Sequence, residues 1–213
     1  MKGKDPSCFF SFCHKIDWES SLGFIRNGMA NKALELFNLI ENPNEIILIL
    51  LFNACAQLKT DSALNLVKDV SSQMSQSFYS NENLTNSLID ALIKCGDCST
   101  AESHFSRSKK NVITYGNLMN GFNKEKNFQK TLNIFSQMLI DHIAPTPITY
   151  LCLINALSQL GFNSISQSFI EKMPKSFLSN VRIQTALIDM WVSYLKSFIS
   201  STLKNIVGQI SLY

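Results

Sequence analysis

The side chains of this sequence best suited to metal binding or catalysis are its six cysteines and three histidines. Cys95 and Cys98 form a C-x-x-C pair, a spacing found in zinc and redox sites, but no second pair follows at zinc-finger distance. Cys8 and Cys13-His14 likewise lack further ligands. The sequence contains neither a G-x-x-x-x-G-K phosphate loop nor a G-x-S-x-G nucleophile motif. We therefore predict reduced structural thiols, no metal, no cofactor and no catalytic residues.

The composition favours a folded helical protein. Of the 213 residues, 46% are hydrophobic and 16% are charged, which argues against a disordered chain or a coiled coil. The net charge of +3 is compatible with a nucleic-acid partner but does not require one. The longest apolar run, Ile46–Phe52, is far too short to span a bilayer. The N-terminus resembles neither a signal peptide nor a transit peptide, so we expect no membrane partner and, from this segment alone, a cytoplasmic protein.

A repeated spacing organises most of the chain. The tripeptide Ile-Thr-Tyr occurs at residues 113–115 and again at 148–150, a shift of 35 residues, and the same shift aligns Leu118 with Leu153 and Met138 with Met173. Further local similarities place repeat starts near Lys15, Glu45, Glu82, Val112, Pro147 and Val181. We therefore divide the sequence into an N-terminal extension (1–14), a repeat array (15–191) and a divergent C-terminal helix or cap (192–213).

Each repeat is predicted to form two short helices. In the repeat starting at Val112, four residues at i, i+3, i+4 and i+7 make one apolar stripe: Tyr115, Leu118, Met119 and Phe122. A second stripe follows a polar break: Phe128, Leu132, Phe135, Met138 and Leu139. In the C-terminal segment, Leu195, Phe198, Ile199 and Leu203 could form an apolar face that caps the array. The alternative, which we favour, is that the array is truncated there and that an unrelated helix follows. Because such short helices bury their apolar faces only by stacking on neighbours, the fold class is an all-α solenoid of helix–turn–helix repeats.

The repeats resemble pentatricopeptide repeats of the mixed long, short and 35-residue plant type. The segments VITYGNLM, KALELF and KTLNIFSQM carry the typical motif, and LFNACAQL and NSLIDALIKCGD are similar to the long and short variants. The resemblance covers about residues 20–191. It implies a right-handed superhelix whose first helices line a groove for single-stranded RNA, with one base read per repeat.

The resemblance also implies which residues would contact RNA. The last positions of the repeats are Asn44, Asn81, Asn111, Thr146 and Asn180. At the fifth positions only Asn86 and Thr185 carry a suitable polar group, because the others are Ile49, Gly116 and Leu151 (and Glu19 in the first repeat). The second positions, which would sandwich bases, are Ile46, Asn83, Ile113, Ile148 and Arg182. Asn86 with Asn111 is the best reading pair. The alternatives are that the Asn and Thr residues cap helices and that the isoleucines only pack.

The family resemblance suggests a role in organellar, for example mitochondrial, RNA processing, editing or modification. Arrays of this type often precede a deaminase-like domain, but that chemistry needs His-x-Glu and Pro-Cys-x-x-Cys, and neither motif is present. A separate RNA-processing or editing protein would then be the catalytic partner. The alternative function is a protein–protein interaction scaffold that uses the concave face of the solenoid.

Overall fold

The structure, a computed structural model, describes residues 29–37, 40, 43–161 and 164–210. Within these ranges no residue lies in a strand, and the predicted all-α fold class of helix–turn–helix repeats is confirmed. The α-helices are α1 (Ala30–Phe37), α2 (Glu45–Leu58), α3 (Asp61–Ser72), α4 (Glu82–Lys94), α5 (Cys98–Arg107), α6 (Val112–Lys124), α7 (Phe128–Ile140), α8 (Pro147–Leu160), α9 (Ser164–Glu171) and α10 (Val181–Ile210). The predicted N-terminal extension and the first repeat start near Lys15, with Glu19, lie outside the described residues.

Turns with left-handed backbone separate the two helices of each hairpin. Lys59 (φ 54°) lies between α2 and α3, Gly96 (φ 88°) between α4 and α5, and Lys126 (φ 58°) between α6 and α7. Gly161 (φ 88°) follows α8. A residue with positive φ ends a helix because it cannot continue the right-handed backbone. The turns at Lys59, Gly96 and Lys126 lie at equivalent places and explain why a polar break in the sequence becomes a tight hairpin.

The chain divides into two compact units, Met1–Lys110 and Asn111–Tyr213. In the first unit, α2 packs along α4, α1 packs on α2, and α5 packs on α4. Its core consists of side chains with no more than 3% exposure, among them Leu51, Phe52, Leu84, Leu88, Ile89 and Leu92. Burial of apolar side chains on α2 and α4 thus holds the first helices of two successive repeats together.

In the second unit, α6, α7 and α8 pack on one another, and α10 packs on α8. The predicted stripe of α6 is confirmed, since its four side chains are at most 1% exposed: Tyr115, Leu118, Met119 and Phe122. In α7, Leu132, Phe135 and Met138 are buried as predicted, but Leu139 is 44% exposed. Leu139 follows Met138 directly and is therefore rotated about 100° away from the core face of the helix.

The C-terminal helix α10 runs without interruption from Val181 to Ile210 and crosses the boundary that we placed after residue 191. Its apolar residues Leu195, Phe198, Ile199 and Leu203 are 51–56% exposed. These four side chains of α10 therefore remain largely exposed to solvent. No helix in the described ranges is both long enough and apolar enough to cross a bilayer.

Candidate nucleic-acid interface

The last-position asparagines lie immediately before the first helices of the repeats, where their amide oxygens cap the helix N-termini. The Asn44 oxygen accepts a hydrogen bond from the backbone N–H of Ile47 (3.0 Å). The Asn111 oxygen accepts two, from the N–H groups of Ile113 and Thr114, both at 3.0 Å. These bonds satisfy backbone donors that a helix leaves open at its first turn. The capping alternative is therefore confirmed for these residues.

Asn180 and Asn81 make the same kind of cap, with one difference. The Asn180 oxygen accepts from the N–H of Arg182 at 3.0 Å. The Asn81 oxygen accepts from the N–H groups of Asn83 and Leu84, at 3.0 and 3.1 Å. In addition, the Asn81 amide nitrogen donates to the carboxylate of Glu45. Asn81 therefore already uses both ends of its amide within the first unit.

Thr146 is the N-cap residue of α8, and a second threonine, Thr149, completes the cap. The Thr149 hydroxyl accepts from the Thr146 N–H and donates to the Thr146 carbonyl oxygen, both at 2.9 Å. Thr114 makes the same two contacts with Asn111, at 3.1 and 2.8 Å. Both threonines are fully buried. The threonine of the repeated Ile-Thr-Tyr sequence is thus a structural part of the cap.

The predicted fifth- and second-position residues differ in how they are placed. Asn86 is half-buried on α4, and Asn83 is exposed in the first turn of the same helix. Thr185 is exposed on α10, where its hydroxyl donates to the carbonyl oxygen of Val181 at 2.9 Å. Arg182 is exposed in the first turn of α10. Ile49 and Leu151 are half-buried, and a side chain of either type offers no hydrogen bond to a base.

A groove of about 590 Å³ between α6 and α8 brings several predicted positions together. Ile113 and Ile148, 55% and 66% exposed, lie among its lining residues, with Gly116 and Thr146 also in the lining. The remaining lining residues are Val112, Asn117, Asn120, Pro147, Thr149, Leu151 and Cys152. Our sequence analysis missed Asn117 and Asn120. Asn117 and Asn120 follow Ile113 at i+4 and i+7 and therefore share its helix face, which is the sequence pattern that could have identified them.

The basic residues near the end of the first unit are already engaged within the fold. The Arg107 guanidinium donates to Gln76 at 2.9 Å and lies 4.4 Å from the centre of the Tyr79 ring. The Lys109 ammonium pairs with Glu82 at 2.6 Å, which raises the pKa of Lys109. Arg107 and Lys109 therefore make ordinary surface and packing contacts within the first unit.

The thiols lie in places that keep them protonated. Burial raises the pKa of Cys55 to about 12 and that of Cys152 to about 11. Cys98 is 1% exposed, and the Cys95 thiol donates to the carbonyl oxygen of Cys55. A thiol must be deprotonated to act as a nucleophile or a metal ligand. Within the described ranges, no three His, Cys, Asp or Glu side chains group closely enough to hold a metal ion. Cys8 and Cys13 lie outside those ranges.

Comparisons with known proteins agree with this architecture. The model of the PPR repeat family matches residues 110–159, and the model of the single PPR repeat matches residues 22–42 and 85–111. The chain is also similar to the crystal structure of the pentatricopeptide repeat protein PPR10 from maize, with a TM-score of 0.62 and 17% identity. That similarity covers 90% of this chain and 28% of the maize chain, and it supports the fold.

Several pentatricopeptide repeat-containing proteins of Arabidopsis thaliana are similar in sequence. One is 31% identical over 184 residues, which is 81% of this chain and 23% of the relative. A mitochondrial one is 26% identical over 183 residues (82% of this chain, 27% of the relative), and a chloroplastic one is 30% identical over 154 residues (70% and 20%). The chain thus spans about a quarter of the length of these relatives. By its repeats and its relatives, the chain belongs to the pentatricopeptide repeat family.

Proposed function

We propose that this chain binds single-stranded RNA through the first helices of its repeats. The observation that carries the proposal is the groove between α6 and α8, where exposed Ile113 and Ile148 accompany Gly116 and Thr146. Exposed aliphatic side chains can hold the flat face of an unstacked base, while nearby polar groups meet its edge. The other proposed contacts are Asn44, Asn81, Asn83, Asn86, Asn111, Asn180, Arg182 and Thr185.

The cellular role that we propose is organellar RNA processing, editing or modification. Support comes from relatives that are mitochondrial or chloroplastic, and we propose a mitochondrial location for this protein. We further propose that the chain is not an enzyme and that a separate RNA-processing or editing protein supplies the chemistry. The absence of His-x-Glu and Pro-Cys-x-x-Cys motifs from the sequence supports this division of labour.

Fluorescence anisotropy with labelled short single-stranded RNAs of randomised sequence, repeated over a series of salt concentrations, tests the proposal. We expect binding at low salt that weakens as salt rises, because phosphate contacts release counterions. Asn86→Ala should raise the Kd about threefold to tenfold through the loss of a hydrogen bond. Asn65→Ala is the matched control, since Asn65 is exposed on the second helix of its hairpin. A chain that binds no RNA pool even at low salt would contradict the proposal.

A peptide-binding scaffold is the second candidate. The apolar character of exposed Ile46, Ile113 and Ile148 favours it, because an extended peptide can place side chains against such residues. Binding of a peptide library that single-stranded RNA does not displace, together with no RNA affinity, is the result that would select this function.

A further inference from the structure

Two asparagines in the groove between α6 and α8 occupy none of the positions assigned to base contact. Asn117 directly follows Gly116, and Asn120 comes one helical turn later. Together with Ile113 and Gly116 they follow the i, i+3, i+4, i+7 spacing of one helix face, and all four line the groove. Asn117 is half-buried and Asn120 is exposed. The face of α6 that meets the groove is therefore apolar at its start and amide-bearing further along.

The amides of Asn117 and Asn120 make no hydrogen bond within the described part of the chain. A third asparagine of the same helix behaves differently. The Asn123 amide nitrogen donates to the carbonyl oxygen of Cys152, and its oxygen accepts from the Thr131 hydroxyl, both at 2.8 Å. Asn123 thus joins α6 to α7 and α8 by hydrogen bonds, whereas the amides of Asn117 and Asn120 make no such bonds to neighbouring helices.

Gly116 leaves space beside these amides. A Cβ atom placed there would have Thr149 Cγ2, at 3.7 Å, as its nearest contact, which is ordinary van der Waals distance. The fifth position of this repeat therefore has room for a side chain but has none, so it cannot make a polar contact. Any side-chain hydrogen bond from α6 to a ligand in this part of the groove must therefore come from another position of the helix, and Asn117 and Asn120 are the side-chain amides that line it.

We propose that Asn117 and Asn120 replace the missing fifth-position side chain and hydrogen-bond an unpaired RNA base held against Ile113 and Ile148. This inference rests on the proposed RNA binding. A base has two apolar faces and an edge that carries donors and acceptors, and a groove with isoleucines and amides matches both properties. Each amide offers a donor group and an acceptor atom, so the pair can meet a base edge of mixed character.

The test compares the full chain with the Asn117→Ala/Asn120→Ala double variant, using the same labelled RNA pools of randomised sequence. We expect the Kd to rise about tenfold, which corresponds to about 1.4 kcal/mol. Asn133→Ala is the matched control, because Asn133 is exposed on the second helix of this hairpin and lies outside the groove. It should bind as the unchanged chain does. Both variants keep good helix formers, and circular dichroism checks that they are folded.

Gly116→Asn introduced into the double variant provides a rescue. If the two amides stand in for the fifth position, an amide placed there should restore most of the lost affinity. An unchanged Kd in the double variant, when the original chain binds RNA, would overturn this inference and leave the proposed function intact. A loss that Gly116→Asn does not reverse would also overturn it, because the amides would then act at another place. Absence of RNA binding by the original chain would overturn both.

Discussion

Replacing Asn111 by alanine should destabilise the protein more than the same replacement at Asn44. The Asn111 oxygen caps two N–H groups, and one of them belongs to fully buried Thr114, where water cannot take over the bond. The Asn44 oxygen caps one N–H group, that of Ile47, at an exposed site. Loss of an N-cap costs roughly 0.5–2 kcal/mol, and a buried donor without a partner costs roughly 1–3 kcal/mol. We therefore expect about 2 kcal/mol for Asn111→Ala and about 0.5 kcal/mol for Asn44→Ala.

Asn111→Asp separates capping from RNA contact. A carboxylate oxygen can accept both N–H bonds, and a negative charge at a helix N-terminus is favourable by about 0.3–1 kcal/mol. The stability of this variant should therefore equal or exceed that of the original chain. The substitution also removes the NH₂ donor and adds a charge that repels phosphate, so RNA affinity should fall about tenfold. Stability and RNA binding thus respond in opposite directions to a single change.

Thermal unfolding followed by far-UV circular dichroism measures the loss of stability in the two alanine variants. For a chain of this size, each kcal/mol shifts the Tm by about 2–4 °C, so Asn111→Ala should melt about 4–8 °C lower and Asn44→Ala about 1–2 °C lower. Equal shifts for the two alanine variants would refute the argument from the number and burial of the capped groups. An Asn111→Asp variant that melts as low as Asn111→Ala would show that capping is not what the side chain contributes.

Three further predictions concern stability alone. Gly96→Ala should lower the free energy of unfolding by roughly 1–2 kcal/mol, because Gly96 has a positive φ. Gly116→Ala should raise it by about 0.5–1 kcal/mol, because Gly116 lies within a helix. Urea titration should therefore show changes of opposite sign for the two variants. Burial, aided by a nearby arginine, lowers the pKa of His104, so the stability that it contributes is complete above about pH 6.5 and is lost as the pH falls through the folded-state pKa. His104→Gln should flatten this dependence between pH 7 and pH 5, and an unchanged slope would exclude His104 as its source. Tyr115→Phe, which removes the hydroxyl that donates to the Asp141 carboxylate, should cost about 1.5–3 kcal/mol, and a melting temperature equal to that of the original chain would contradict this.

The repeated tripeptide was the most informative part of the sequence. Residues 113–115 and 148–150 occupy equivalent places at the start of α6 and α8, with the isoleucine exposed, the threonine in the cap and the tyrosine buried. A 35-residue shift reveals such equivalence because each repeat must present the same groups to its neighbours. The family resemblance and the all-α fold class followed from that regularity.

Other features could not be predicted because they depend on choices that the sequence leaves open. The amide NH₂ group of an asparagine that caps a helix can bind a ligand or another residue of the chain. The residue type alone therefore does not reveal that the Asn81 amide donates to Glu45. The Tyr115–Asp141 hydrogen bond joins residues that are 26 positions apart, one on α6 and one at the C-terminal end of α7. The length of α10 is a further such feature. The family pattern ends at residue 191, whereas the helix continues to Ile210, with no proline after residue 191 and no glycine before Gly208.

The caps at Asn44, Asn111 and Asn180 also determine how these side chains meet a ligand. With its oxygen held by the helix N-terminus, each amide is restricted in rotation before anything binds. Freezing a flexible side chain on association costs about 0.5–1.5 kcal/mol, and side chains that are already restrained avoid most of this loss. At Asn44 and Asn180, the same restraint leaves the NH₂ group as the part of the amide that a ligand can meet, while the oxygen faces the backbone. A partner that meets these positions thus encounters preorganised donors, and it is selected by acceptor groups of its own.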